Sequence, residues 1–236
     1  MPMQAVILAA GRGTRMKALT EAVPKPMLEV LGKTLLEHKF DVLPPEITEI
    51  ILVVGYHEES VRGRFGDSYN GTLIRYVHQE ELNGTGGAVY LAAPFLHDRF
   101  LVMMGDDIYG KADVARCIET PDWSVLVKKT DQMASGGSMV LDANECCIAI
   151  LEGDHRGKPG IMNTNLFVLD TRLFAHPLIP AGNGHTEFGL PQTVVEAAKD
   201  AGIPLRAVDA TLWIQITSPE DLSGAEGTLS KSAQGV

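Results

Sequence analysis

Apolar residues recur in short blocks along the first 110 residues, and polar or glycine-rich segments separate the blocks. Four of the blocks have the length and apolar content of buried strands, and they predict strands at 5–9, 50–54, 72–77 and 100–104. Helices are predicted between them, at 34–43, 57–65 and 86–93.

This alternation of strands and helices predicts a parallel sheet with helices on both faces. In such a sheet, ligands bind at the C-terminal ends of the strands. The loops at 11–15, 79–87 and 106–107 each follow the end of a predicted strand. We therefore expect these three loops to converge on one cleft.

The second half of the chain has a different pattern. Short strands are predicted at 123–128, 138–141, 147–151 and 165–169, with little helix between them. A helix is predicted at 187–201, where Gly202 provides the C-terminal cap. Since no linker or repeat separates the halves, we predict a single domain over residues 1–222. The glycine-, serine- and alanine-rich residues 223–236 are predicted to form a flexible tail.

The overall composition narrows the class of protein. Of 236 residues, 45% are apolar and 21% are charged, as in globular proteins. No apolar run reaches the roughly 18 residues that a membrane span needs, and the net charge of −10 argues against nucleic-acid binding. No basic segment precedes the first apolar run, which argues against a secretory signal peptide. The three cysteines argue against a disulfide framework. We expect a cytoplasmic protein that binds neither membranes nor nucleic acids.

Basic residues are concentrated near the N-terminus. Residues 1–25 contain four basic residues and only one acidic residue, Glu21; the basic residues are Arg12, Arg15, Lys17 and Lys25. Because the chain as a whole is acidic, this cluster suits a small anionic ligand better than a polyanion. A solvated surface patch is the alternative that charge alone leaves open.

The loop GRGTRM at residues 11–16 follows the first predicted strand. Met16 stands where a dinucleotide fingerprint has its third glycine, and the GKT at 32–34 lacks the first glycine of a P-loop. Two glycines still allow backbone N–H groups to bind an anion, while Arg15 and Lys25 add charge. Together with the two prolines that flank Lys25, the loop favours phosphate binding.

The acidic pair Asp106 and Asp107 follows the fourth predicted strand. Mg²⁺ often binds one or two carboxylates together with substrate phosphates, which makes the pair a candidate metal site. Adjacent acidic residues also form turns and cap helices. The pair alone leaves both interpretations open.

Taken together, these segments resemble the catalytic domain of sugar-1-phosphate nucleotidylyltransferases. The resemblance rests on ILAAGRGTRM at 7–16, PKPML at 24–28, GK at 32–33, LLEH at 35–38, VVGY at 53–56, Gln79, GTGGAV at 84–89 and GD at 105–106. It is dense over residues 3–110 and thinner from there to Leu222. The chain resembles glucose-1-phosphate uridylyl- and thymidylyltransferases and mannose-1-phosphate guanylyltransferases, and its GTGGAV form is most similar to the enzymes that use UTP or dTTP.

The resemblance implies an α/β fold that is Rossmann-like, with three α/β/α layers around a mostly parallel mixed sheet. Residues 3–110 would form the nucleotide-binding half, and residues 111–222 the half that binds sugar phosphate. The implied reaction joins a nucleoside triphosphate to a sugar 1-phosphate and releases pyrophosphate, with Mg²⁺ as cofactor. Relatives also include homo-oligomers, so a homo-oligomer is a further expectation.

The resemblance also assigns roles to single residues. Arg15, Lys25 and Asp106 would be catalytic, and Asp106 would bind Mg²⁺, with Gln215 or Asp107 as a further ligand. The nucleotide would contact Leu8, Ala10, Gly11, Gly13, Thr14, Arg15, Gln79, Gly84 and Thr85. The sugar phosphate would contact Gly137, Glu152, Asn163 and Lys158.

Two positions depart from the family pattern. Gln215 stands where the family has a second acidic Mg²⁺ ligand, for which Asp107 or Asp209 is a possible replacement. Gly153 follows Glu152 where the family has a lysine, so Arg156 or Lys158 would have to reach the sugar phosphate. These departures leave two alternatives open: a non-catalytic relative that binds nucleotide or sugar phosphate, and a cytidylyltransferase for a non-sugar phosphate.

Overall fold

The computed structural model of the protein describes residues 2–182, 184 and 186–234, without the side chains of residues 17, 134, 135 and 231–234. Its strands are β1 Met3–Leu8, β2 Glu29–Val30, β3 Lys33–Thr34, β4 Ile47–Val54, β5 Ser68–Tyr69, β6 Thr72–His78, β7 Arg99–Met104, β8 Ile108–Tyr109, β9 Trp123–Leu141, β10 Cys147–Asp170, β11 Leu205–Asp209 and β12 Trp213–Ile214. Its helices are α1 Leu35–Val42, α2 Glu58–Phe65, α3 Gly84–Ala92, α4 Lys111–Glu119, α5 Leu190–Ala201 and α6 Pro219–Gln234. No helix in the described part of the chain is both long and apolar enough to cross a bilayer.

Eight strands form one mixed sheet in the order β11-β9-β10-β7-β1-β4-β6-β5. Strand β1 pairs in parallel with β4 on one side and β7 on the other, and β6 continues the parallel part beyond β4. Strand β10 runs antiparallel to both β7 and β9, while β11 is parallel to β9. The sheet therefore includes strands from both halves of the chain, and the predicted mostly parallel mixed sheet is confirmed.

Helices cover both faces of the sheet because successive side chains of each strand point to opposite faces. On one face, Val6 and Leu8 of β1 share a buried cluster with residues of α3 and α5. On the other face, Ile7 shares a cluster with residues of α1 and α2, and Ala5 shares one with residues of α4. Both faces of β1 are buried, which explains its continuous apolar sequence. The three-layer α/β/α architecture is confirmed.

The second half differs from its prediction in continuity. The four short strands predicted at 123–128, 138–141, 147–151 and 165–169 are parts of two long strands, β9 of 19 residues and β10 of 24. These strands pair with several register shifts, and much of the first two thirds of β10 is exposed and polar. Exposed, irregular pairing leaves no apolar run in the sequence, so the middle of each strand was missed.

The prediction of a flexible tail at 223–236 is wrong as far as Gln234, because α6 continues through it; residues 235 and 236 lie outside the described residues. The Asp221 carboxylate accepts hydrogen bonds from the backbone N–H groups of Thr217 and Ser218, both at 2.8 Å, and so stabilises the start of the helix. Ala225 is fully buried in a cluster with Met16. Glycine and serine suggested disorder, and tertiary packing overrides that local preference.

We expect Ala225→Leu to destabilise the protein by about 1–3 kcal/mol, because added methylene groups overpack a filled core. The matched control Glu226→Leu adds an apolar side chain at the neighbouring exposed position, where surface substitutions stay within about 0.5 kcal/mol. Urea unfolding measures both changes. Equal stability of the two variants would show that α6 does not pack on the Met16 cluster.

Candidate active site

A cleft of about 540 Å³ opens at the C-terminal ends of β1, β6 and β7. Because these strands run parallel in one sheet, with β4 between β1 and β6, the loops that follow them meet at one edge. The residues that line the cleft are Leu8, Ala9, Ala10, Gly11, Arg12, Gly13, Thr14, Arg15, Met16, Lys25, Pro26, Gln79, Leu82, Gly84, Thr85, Ala88, Met104, Asp106, Glu187 and Thr217. The structure thus brings together all nine residues predicted to contact the nucleotide, and the three predicted to be catalytic.

The loop after β1 turns sharply at Gly13, which has a positive φ of 61° and precedes a 3₁₀ helix, Thr14–Thr20. A Cβ atom at this position would lie 2.8 Å from the Cβ of Lys25, so the loop and Lys25 pack closely. Met16 is fully buried and anchors the loop, whereas Arg15 is exposed. Among the described residues Arg15 forms no ion pair, so its guanidinium is free to bind a ligand phosphate.

Lys25 is a buried cation of the cleft with two direct polar partners. Pro24 and Pro26 flank it, and the side chain is buried against the loop, with 6% of the residue exposed. Its Nζ donates to Oδ2 of Asp106 at 2.5 Å and to the carbonyl oxygen of Ile216. The ammonium group is therefore fixed between the end of β7 and the segment that follows β12.

The acidic pair after β7 divides into one residue in the cleft and one beneath it. Asp106 lines the cleft, and 28% of its side chain is exposed. Asp107 is only 5% exposed, and its Oδ2 accepts the Nε1–H of Trp213 at 3.1 Å while Oδ1 accepts the N–H of Ile216 at 3.4 Å. Burial raises the pKa of Asp107 to about 7, and the nearby Asp106 carboxylate adds to the increase.

The predicted further metal ligands are not in the cleft. Gln215 is exposed and Asp107 is buried, and neither is among the lining residues. Asp209 instead pairs with Lys129 at 2.7 Å on the surface. Among the described residues no three His, Cys, Asp or Glu side chains form a metal cluster. Of the predicted metal ligands, Asp106 is the one that lines the cleft, and its carboxylate oxygens are of the type that Mg²⁺ binds.

The opposite end of the cleft is built around Gln79 and the start of α3. Gln79 is buried, and its Nε2 donates to Oδ1 of Asn83 at 3.1 Å and to the carbonyl oxygen of Gly84 at 3.4 Å. Gly84 has a φ of 98°, and a Cβ there would lie 2.4 Å from the carbonyl oxygen of Phe188. Only glycine fits between these two segments.

Several lining residues were missed by the sequence analysis. Arg12 was noted only for its charge, and Glu187 was interpreted as the first residue of a helix, which in the structure begins at Leu190. Leu82 lies in the loop at 79–87, which was expected at the cleft, but it was not named as a contact, and Thr217 was not named either. Such residues reach the cleft through tertiary packing, which local sequence does not encode.

The residues predicted to bind sugar phosphate lie along β9 and β10. Gly137 pairs with Glu152 across these strands, and Oε1 of Glu152 accepts the Nε2–H of Gln192 from α5 at 2.8 Å. Asn163 donates to Asn165 at 2.8 Å, and Lys158 pairs with Met133. None of the four predicted residues lines the cleft, so the structure does not bring them to the nucleotide site, and their role stays a prediction.

Comparison with known proteins assigns the family. Residues 4–175 match the family described as Nucleotidyl transferase. The chain is a member of that family. It is 30% identical over 244 residues to the UTP–glucose-1-phosphate uridylyltransferase AglF of Haloferax volcanii, covering 96% of each chain. It is also 30% identical over 174 residues to the D-glycero-alpha-D-manno-heptose 1-phosphate guanylyltransferase of Campylobacter jejuni, covering 73% of this chain and 78% of that protein.

The chain is also 31% identical over 228 residues to the bifunctional protein GlmU of Methanococcus maripaludis, covering 94% of this chain and 53% of that protein. It therefore spans about half the length of that longer relative. Among solved structures, the inositol-1-phosphate CTP transferase of T. maritima superposes with a TM-score of 0.76 at 22% identity, covering 100% of this chain and 98% of that one. This likeness shows a shared fold and supports the predicted fold class.

We expect Gly13→Ala to destabilise the protein by about 1–3 kcal/mol, because it combines left-handed backbone strain with a close contact to Lys25. Gly11→Ala is the matched control in the same loop, since a Cβ there meets no atom within 4 Å and its φ is not in the left-handed region. Urea unfolding of the ligand-free proteins measures both. Equal effects at the two positions would contradict the close approach of Gly13 to Lys25.

Proposed function

We propose that the protein transfers a nucleotidyl group from a nucleoside triphosphate to a sugar 1-phosphate and releases pyrophosphate. The observation that carries the proposal is the fixed Lys25 ammonium group. It lies between the glycine-rich loop and Asp106, in a cleft that contains all the residues predicted to contact the nucleotide. The proposal agrees with the activities named for the relatives AglF and heptose 1-phosphate guanylyltransferase.

In the proposed reaction, a phosphate oxygen of the sugar 1-phosphate attacks the α-phosphorus of the triphosphate. A new P–O bond forms there while the bond to the bridging oxygen of the β-phosphate breaks, and pyrophosphate leaves with that electron pair. The attacking oxygen is already an anion, so the site needs no general base. The residues must instead hold the two anions in line and neutralise their charge.

Each residue of the phosphate end has a role in this scheme. Backbone N–H groups at Gly11 and Gly13, with Thr14 and Arg15, would hold the β- and γ-phosphates. Lys25 would contact the reacting phosphates and stabilise the charge that develops between them. Asp106 would hold Mg²⁺ together with the phosphates, and the ion would supply further positive charge there.

For the base we propose uracil or thymine, held at Gln79. Its Nε2 is engaged by Asn83 and Gly84, so its Oε1 is left to accept a hydrogen bond. Uracil and thymine present a ring N–H at N3, whereas cytosine has an acceptor nitrogen there. Guanine presents an N–H at N1, so GTP is the main competitor, in keeping with the guanylyltransferase among the relatives.

For the acceptor we propose a sugar 1-phosphate bound by Gly137, Glu152, Asn163 and Lys158. This step requires the exposed strands β9 and β10 to meet the substrate beyond the nucleotide cleft.

The three cysteines are free in the structure, in keeping with our proposal of a cytoplasmic enzyme.

A non-catalytic nucleotide-binding protein is the second candidate. The observation that favours it is the exposed Gln215 outside the cleft, where the family pattern has an acidic metal ligand. The intact contacts of Lys25 with Asp106 favour the enzyme. The two candidates differ in one product, pyrophosphate.

The direct test is pyrophosphate release from UTP, dTTP, GTP, CTP or ATP with Mg²⁺ and a panel of sugar 1-phosphates that begins with glucose 1-phosphate. We expect release with UTP or dTTP, abolished when EDTA removes the metal. Omitting the acceptor is the control for simple hydrolysis. If no nucleotide gives pyrophosphate while calorimetry shows that nucleotide binds, the binding-protein candidate replaces the enzyme; release with CTP alone would favour a cytidylyltransferase.

Substitution of the Lys25–Asp106 pair tests the assigned roles. We expect Lys25→Met to lower kcat by about 10²-fold or more, the usual effect of losing a group that stabilises transition-state charge. Asp106→Asn should abolish turnover and leave the fold intact. The matched control is Lys129→Met, which removes an exposed lysine that also pairs with an aspartate. Near wild-type turnover of either cleft variant would refute its assigned role.

A further inference from the structure

Lys39 on α1 is a fully buried lysine that the proposed reaction does not use. Within the described residues its Nζ has no hydrogen-bond partner. Burial lowers the pKa of Lys39 to about 7, and attraction to the Asp107 and Asp106 carboxylates opposes that decrease. A buried cation without a direct partner is costly, and such groups normally need a compensating charge. Helix α1 packs against β8, which begins at the residue after Asp107.

Asp107 in turn is connected to Lys25 in the cleft through one residue, Ile216. Its Oδ1 accepts the N–H of Ile216, and the carbonyl oxygen of the same Ile216 accepts the Nζ of Lys25. Ile216 is fully buried, so its peptide groups have no water to replace these bonds. A shift of Ile216 would therefore move a hydrogen-bond acceptor of Lys25.

We propose that Asp107 is a positioning residue that holds Lys25 at the reacting phosphates through Ile216. The inference rests on the proposed function and deepens it, because it gives a role to the second acid of the pair at 106–107. Asp107 does not touch the substrate in this role. It fixes the segment after β12 through Ile216, and the Trp213 indole also joins it to β12 itself.

The alternative is that Asp107 and Lys39 stabilise the fold and nothing more. Asp113 provides the comparison, because it is a fully buried aspartate that binds the two residues immediately before β12. Its oxygens accept hydrogen bonds from the N–H groups of Thr211 and Leu212, both at 2.8 Å. No contact of Asp113 in the described part of the chain leads to Lys25. Asp113→Asn is therefore a matched structural control.

The key variant is the double substitution Lys39→Met and Asp107→Ala. It removes both buried charges together, since removing one partner alone leaves an uncompensated charge that can unfold the protein. The double substitution Lys39→Met and Asp107→Asn removes the same charges but keeps an oxygen that can accept from Ile216. The two double variants differ at position 107 alone, where asparagine keeps an amide group that can accept a hydrogen bond and alanine does not, and circular dichroism checks that both are folded.

The first readout is acetylation of Lys25 by acetic anhydride, measured by mass spectrometry relative to exposed Lys111. Lys25 is held by two acceptors and only 6% exposed, so we expect slow labelling in the wild type. The Ala-containing double variant should label several-fold faster, and the Asn-containing one should stay close to the wild type. Asp113→Asn should not change the labelling ratio even if it lowers the melting temperature.

The second readout is pyrophosphate release with the nucleotide and acceptor that the wild type uses. We expect the Ala-containing variant to lose about ten- to a hundredfold in kcat, as small misplacements of reacting groups do, with a smaller change in KM for the nucleotide. The Asn-containing variant should recover most of the loss. Unchanged labelling of the Ala-containing variant, or equal changes in Asp113→Asn, would overturn the inference. A wild type that releases no pyrophosphate would refute the proposed function, while labelling still decides where Lys25 is held.

Discussion

The ion pair between Lys25 and Asp106 is the interaction on which the architecture of the cleft depends. It joins residues that are 81 positions apart in sequence, one from the loop region after β1 and one from the end of β7. A partly buried ion pair is favourable only when hydrogen bonds satisfy its remaining polar groups. Here the Ile216 carbonyl completes the set, so three distant parts of the chain must meet before the charge of Lys25 is balanced.

The position of this pair follows from the sheet. Parallel pairing of β1 with β4 and β7 aligns their C-terminal ends, and that edge is where the glycine-rich loop, Gln79 and Asp106 emerge. The sequence predicted this half well because β1, β4 and β7 are buried over most of their length and leave continuous apolar runs. The glycine and charge pattern of the loop then identified the candidate phosphate site.

The remainder was not predictable from local pattern. Strands β9 and β10 are exposed and irregularly paired, so their central residues look like loops in the sequence. Helix α6 has low intrinsic helix preference and is stabilised because Ala225 is buried, with Leu222 and Leu229 packed against the same cluster. The sequence analysis did not single out Lys39, which is fully buried on α1, a helix that packs against β8. In each case the deciding contact involves a residue far away in the chain.

The shared packing of Met16 and Ala225 has a consequence for the order in which this molecule matures during translation. The loop that is expected to hold phosphate follows β1, yet its buried anchor Met16 is completed by Ala225, which is translated 209 residues later. Strand β1 likewise pairs with β7, in which Phe100 is translated 96 residues after its partner Gln4. A nascent chain that lacks α6 would therefore have the sequence of the loop without the residue that completes the packing of its anchor.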